Sequence, residues 1–116
     1  MRLIQIDPST KTVAYIENEG NLDALLKAID CRVIDVCARQ PNGDALTVDD
    51  EALFLEPQPA AFTFNGFGPI HGIGILTGTD EEGETTPPTM TLDEATAHVE
   101  WLGEIYTKPF MAFIAW

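Results

Sequence analysis

The sequence predicts an α+β domain, a mostly antiparallel sheet with two helices packed on it. Three observations carry this. Short β-branched or aromatic runs recur along the chain, closed off by Gly, Pro, Asn and Asp. Two apolar stripes at helical spacing each follow a capping residue. A length of 116 residues with 45% apolar content suits one domain, residues 1–116, with a sizeable core.

Met1 to Ile6 opens as a strand, and Thr12 to Glu17 is a second. Asp7-Pro8-Ser9-Thr10-Lys11 between them has turn composition, so the chain begins with a hairpin. Asn21 is placed as an N-cap, and Leu22, Leu25, Leu26 and Ile29 share one helical face, which predicts a helix from Leu22 to Asp30. Arg32 to Ala38 returns to strand, with Ile34, Val36 and Ala38 on one face and Val33, Asp35 and Cys37 on the other. Pro41-Asn42-Gly43-Asp44 is a turn, Ala45 to Val48 a short strand, and Asp49-Asp50-Glu51 a charged corner before Ala52-Leu53-Phe54-Leu55. Glu56-Pro57-Gln58-Pro59 breaks the pattern, and Ala61 to Phe64 is another strand.

Asn65 to Glu84 holds six of the nine glycines. Within it Gly72 to Thr77 reads as a strand, with Ile73, Ile75 and Thr77 on one face and Gly72, Gly74 and Leu76 on the other. The bare glycine face predicts close approach by another backbone. Thr79-Asp80-Glu81-Glu82-Gly83-Glu84 turns the chain into water, and Thr85 to Met90 is an extended connector. Thr91-Leu92-Asp93-Glu94 has the pattern of a capping box. With Leu92, Ala95, Val99, Leu102 and Tyr106 on one stripe, it predicts a second helix from Leu92 to Leu102. Residues 110–116, Phe-Met-Ala-Phe-Ile-Ala-Trp, have no polar side chain, and their burial predicts a last strand or a homo-oligomer interface.

Charge bounds the partners. Nineteen acids against six bases give −13. The first 40 residues are nearly balanced, with six acids and five bases, whereas residues 41–107 hold thirteen acids and no Lys or Arg. Such a surface disfavours nucleic-acid backbones and anionic membranes and attracts a basic protein or cations. The same composition also serves solubility alone. No apolar run reaches the length of a membrane span, and the N-terminus does not read as a signal peptide, which predicts a cytoplasmic protein. Cys31 and Cys37 would lie roughly 20 Å apart on a strand rising about 3.3 Å per residue, so free thiols are expected.

The ordered features resemble a known family. The N-terminal hairpin, the Leu-rich helix, the corner Val48-Asp49-Asp50-Glu51-Ala52-Leu53, the segment Gly78-Thr79-Asp80-Glu81-Glu82-Gly83-Glu84 and the capped Thr91-Leu92-Asp93-Glu94 follow one another in sequence. This is similar to a family of small phage, plasmid and bacterial proteins classed as a domain of unknown function, number 3846. The similarity covers roughly residues 1–103 and is sharpest over Pro69 to Thr91. It implies a mobile-element origin and a small α+β fold. It supplies no active site.

Sites of chemistry are sparse. Glu94 and His98, one helical turn apart with Asp93 and Trp101 nearby, could offer two metal ligands, short of the four of a structural zinc site. No metal or other cofactor is expected. His71 could act as a base only if a nucleophile faced it; Ser9 is the sole serine, and no nucleophile elbow is present. Asp80 to Glu84 lacks the spacing of an EF-hand. Gly66-x-Gly68 and Gly72-x-Gly74 lack the Gly-Lys-Ser/Thr of a phosphate loop.

The expected function is therefore non-enzymatic: an acidic phage or mobile-element accessory protein that binds and inhibits a basic host protein of the nucleic-acid-binding or defence kind. Carboxylates of Asp49, Asp50, Glu51, Asp80, Glu81, Glu82 and Glu84 would imitate phosphates. The alternative is an oligomeric module that sequesters a nucleotide signal, with Gly66, Gly68, His71, Gly72 and Trp101 lining its pocket.

Overall fold

The computed structural model describes residues 1–109; the apolar segment 110–116, expected above as a strand or interface, lies outside them. The architecture is α+β and mostly antiparallel. β1 (Arg2–Asp7) and β2 (Thr12–Glu17) form the expected hairpin, in unbroken register from Arg2 opposite Glu17 to Asp7 opposite Thr12. β3 (Ile34–Cys37) and β4 (Ala45–Asp49) form a second hairpin around the Asn42-Gly43 turn. Between these hairpins runs β7 (Gly74–Thr79), antiparallel to both β1 and β4. The large sheet thus has the order β2-β1-β7-β4-β3, and the two-residue β8 (Thr85–Thr86) adds to the far end of β7. A smaller sheet has the order β6-β5-β9, from β5 (Ala61–Phe64), β6 (Phe67–His71) and β9 (Val99–Gly103).

Period-two alternation sorts the side chains into two cores. Ile4, Ile6, Leu46, Val48 and Leu76 leave one face of the large sheet and meet Phe62, Phe64 and Ile70 of the small one. Leu3 and Ile75 leave the opposite face and meet Leu25 and Ile29 of α1 (Leu22–Ile29). Strands β4 and β7 are therefore buried on both faces, which is why they read as nearly continuous apolar runs. Among the described residues, no helix is long and apolar enough to cross a membrane.

Both predicted caps form. The Asn21 side chain accepts from the Ala24 amide, and Thr91 and Glu94 make the reciprocal box at α2 (Leu92–Ala97). Helix α1 stops one residue short of expectation, because Asp30 adopts a left-handed conformation (φ 61°) and closes the helix through its own amide.

The second helix is a larger correction. It ends at Ala97 rather than Leu102, and after His98 the chain runs directly into β9. The stripe of Leu92, Ala95, Val99, Leu102 and Tyr106 is therefore not one helical face. Val99 and Trp101 lie opposite Phe64 and Phe62 on β5, and pairing with that otherwise open edge outweighs the helical period. The strand expected over Arg32 to Ala38 shortens to β3, ended by a left-handed Ala38 (φ 52°). Ala52–Phe54 is a 3-10 turn.

The glycine stretch forms two strands, β6 and β7, instead of one beginning at Gly72. A side chain rather than a backbone approaches Gly74: a Cβ there would sit 3.1 Å from Phe62 Cζ. The close backbone approach is at Gly78, where a Cβ would lie 2.7 Å from the Pro87 carbonyl oxygen.

Candidate functional site

The acids singled out from the sequence occupy two places, at opposite ends of the central strands. Ala45 pairs with Thr77 and Thr47 with Ile75, so the corner following β4 lies at the start of β7, and the Asp80–Glu84 tip lies beyond its end. Asp49 and Ala45 alone are about 13 Å apart at 3.3 Å per residue, and the tip extends further. The structure does not bring the two groups into one patch.

At the corner, Asp49 Oδ1 accepts from the Glu51 amide at 2.8 Å, which shapes the turn. Glu51 meets Arg32 in a two-point fork, 2.8 Å from Nε and 2.9 Å from Nη2. The Arg32 hydrogen bonds hold Glu51 below the usual carboxylate range. Glu51 is therefore a paired carboxylate, while Asp50 is exposed. At the tip, Asp80 Oδ1 accepts from the Glu82 and Glu84 amides at 2.9 Å each, so Asp80 builds the turn and Glu81, Glu82 and Glu84 stand in solvent.

The residues assigned to a ligand pocket are scattered. Gly66 is in the β5–β6 turn with open space around it. Trp101 is on β9, across β5 from His71 on β6, with its ring edge-on to Phe62. His71 is buried, and both ring nitrogens are occupied: Nδ1 is 2.7 Å from the Pro59 carbonyl oxygen and Nε2 is 2.8 Å from Thr107 Oγ1. The carbonyl can only accept, so Nδ1 donates. Gln58 completes the clasp, donating to the Thr107 carbonyl and accepting from the Thr107 amide. His71 and Gln58 together tie down the segment after β9. Gly68 lies on β6, and Gly72 faces Pro59.

Glu94 is committed to its cap, and the His98 ring packs edge-on against Phe64, 5.4 Å between centroids. Among the described residues, no three His, Cys, Asp or Glu side chains converge as metal ligands would.

What the fold does assemble is a cleft of about 320 Å³ between the edge strands of the two sheets. From β6 come Phe67, Pro69, Ile70 and the body of His71. Leu53 and Ala52 of the 3-10 turn close one side. Val48 and Asp49 come from the end of β4, Asp50 from the corner after it, and Asp35 and Cys37 from β3. Three acidic residues therefore border a largely apolar cavity with no lysine or arginine in its lining; Asp35 lies on the cavity side of β3, whereas alternation turns the Asp49 side chain, with its partner Ile34, toward α1. Burial, with Asp35 nearby, pushes the Cys37 thiol up to about 11, so it is a poor nucleophile at neutral pH. Cys31 and Cys37 are both free thiols.

Sequence reasoning missed Asp35, Leu53 and Phe67 as members of this cleft. A signal was present. A hairpin folded about the Asn42-Gly43 turn sets Asp35 opposite Val48 and Ile34 opposite Asp49. Asp44 was also missed. The sequence marks it only as part of a turn, yet it is fully buried and accepts from the Thr89 amide at 2.8 Å and the Met90 amide at 2.9 Å.

No curated protein and no solved structure matches the chain. A family model does match, over residues 1–100, and its description is Domain of unknown function (DUF3846). The match spans both hairpins, the glycine-rich strands, the cleft and the second helix, and on that evidence the chain belongs to the DUF3846 family.

Proposed function

We propose that this is a non-enzymatic, acidic accessory protein of a phage or other mobile element that binds a basic host protein and inhibits it by presenting carboxylates where that protein expects phosphates. One observation carries the reading. Among the described residues, Glu51 is the one carboxylate within ion-pair distance of a lysine or arginine side chain; the other recorded pair joins Glu17 to the N-terminal amine. Most of the negative charge is therefore not neutralised internally and projects into solvent, where it steers association with a cationic surface. The engagement of both His71 nitrogens supports the non-enzymatic part of the reading.

The test holds net charge fixed and varies position. One variant carries Asp49→Asn, Asp50→Asn, Glu81→Gln and Glu82→Gln. The other carries Asp7→Asn, Glu17→Gln, Asp23→Asn and Asp30→Asn. Affinity capture from host lysate, with bound proteins identified by mass spectrometry, supplies the partner. The first variant is expected to lose association rate with that partner far more than the second, and the difference should shrink as salt rises. Equal losses would reduce the acidic segment to a solubilising surface.

A further inference from the structure

The cleft between the sheets combines features that the acid clusters separately lack. Its walls are apolar, from Val48, Leu53, Phe67 and Ile70, and Phe67 is 51% exposed on the edge strand β6. An exposed phenylalanine beside a cavity presents a ring face that nothing in the small sheet requires to be outside. Facing this wall are Asp35 of β3 and Asp50 of the corner after β4; Asp49 also borders the cavity, but its side chain turns with Ile34 toward α1. The neighbouring base, Arg32, is already held by Glu51 and does not line the cavity.

A lysine head is compact and strongly hydrated, and it gains little from an aromatic wall. A guanidinium is planar, more weakly hydrated, stacks on aromatic faces and pairs with carboxylates through two points. An arginine stem would also cover Leu53 and Phe67, burying apolar area that a solvated cation alone would leave wet.

We propose that this cleft is a docking site for an arginine side chain presented by a basic partner protein, with its stem along Leu53 and Phe67 and its guanidinium toward Asp35 and Asp50. The inference rests on the basic-partner reading and narrows it: recognition is centred on the cleft, and Glu81, Glu82 and Glu84 at the hairpin tip act only at long range.

The test uses the full chain labelled with nitrogen-15 and three probes: acetyl-Leu-Arg-Leu-amide and its lysine and glutamine counterparts. The arginine peptide should shift the amide signals of Asp35, Asp50, Leu53 and Phe67 at millimolar concentration. The glutamine peptide should bind at least about tenfold more weakly, the factor that corresponds to 1.4 kcal/mol, and the lysine peptide should fall between them. Asp35→Asn with Asp50→Asn, and separately Phe67→Ala, should each weaken the arginine peptide by about tenfold, whereas Glu81→Gln with Glu82→Gln should leave it unchanged. The altered side chains are exposed, and thermal melts establish that the variants fold. The peptide comparison on the unaltered protein does not depend on them. Equal binding of the glutamine peptide, or the absence of any shift at the cleft, overturns the proposal. Shifts centred on Glu81 to Glu84 would overturn the cleft while leaving the broader basic-partner reading standing. The position-controlled charge variants decide that broader reading separately.

Discussion

Replacing Asp44 should be among the most damaging single changes in this chain, although sequence reading marks it only as a turn residue. Its carboxylate is fully buried at the start of β4 and holds the loop entering α2 by two backbone amides, Thr89 at 2.8 Å and Met90 at 2.9 Å. The Asn42 side-chain NH2 adds a third, longer contact at 3.3 Å. In Asp44→Asn the shape is preserved, and one oxygen still serves one amide. The other amide then faces an NH2 group and loses its acceptor inside the protein. A buried donor left unpaired costs about 1–3 kcal/mol, so about 2 kcal/mol is expected. Asp44→Ala strands both amides and should cost about 3–5 kcal/mol, including the cavity. At roughly 4 °C per kcal/mol for a domain of this size, Asp44→Asn should lower Tm by about 8 °C. Asp80→Asn is the control. Asp80 also accepts from two backbone amides, Glu82 and Glu84, but at an exposed hairpin tip where water can replace the acceptor. Thermal melts by circular dichroism, with amide exchange at Thr89 and Met90, measure the comparison. If Asp44→Asn destabilises no more than Asp80→Asn, burial of the acceptor is not what makes the residue important.

Gly78→Ala should destabilise by about 1–3 kcal/mol in denaturant melts, because its Cβ would lie 2.7 Å from the carbonyl of Pro87, in the loop that Asp44 anchors; unchanged stability would mean that this loop yields freely. Cys37 holds its proton more tightly in the folded protein than in the unfolded chain, so stability should be complete below the ordinary thiol pKa and decline as pH rises from about 9 toward 11. Cys37→Ser should flatten that decline, and alkylation near pH 8 should be slow at Cys37 until the protein unfolds; rapid labelling of the folded state would contradict the burial. Glu94 is held below the usual carboxylate range by its hydrogen bond from the Thr91 backbone and then by the Thr91 side chain. The stability it contributes is therefore present above the ordinary carboxylate pKa and lost as pH falls through the lower folded value. Thr91→Ala should raise the Glu94 titration midpoint followed by carbonyl NMR, and an unmoved midpoint would remove the capping box from the explanation.

The elements most legible in the sequence were those set by neighbours along the chain. Asn21 and Thr91 cap helices because a side-chain oxygen reaches an amide three residues on, whatever surrounds it. The β1–β2 hairpin and the Asn42-Gly43 turn are likewise short-range, as is the alternation that sends Ile75 and Leu76 to opposite cores. Val99 to Leu102 was misread because its residues fit either a helical stripe or a strand, and β5, more than thirty residues earlier, supplied the deciding partner.

By itself, then, the sequence determined the α+β composition, the two caps, the hairpins and the concentration of acid after residue 40, each a matter of local geometry or simple charge. Tertiary structure alone decided that Arg32 neutralises Glu51, that Asp44 is buried, that the two acid groups lie at opposite ends of β4 and β7, and that Asp35, Asp50 and Phe67 meet across one cleft. The physical reason is distance along the chain. Which strand covers an open edge, and which side chain meets a carboxylate across the gap between two sheets, depends on segments tens of residues apart, and no local propensity or spacing encodes that choice.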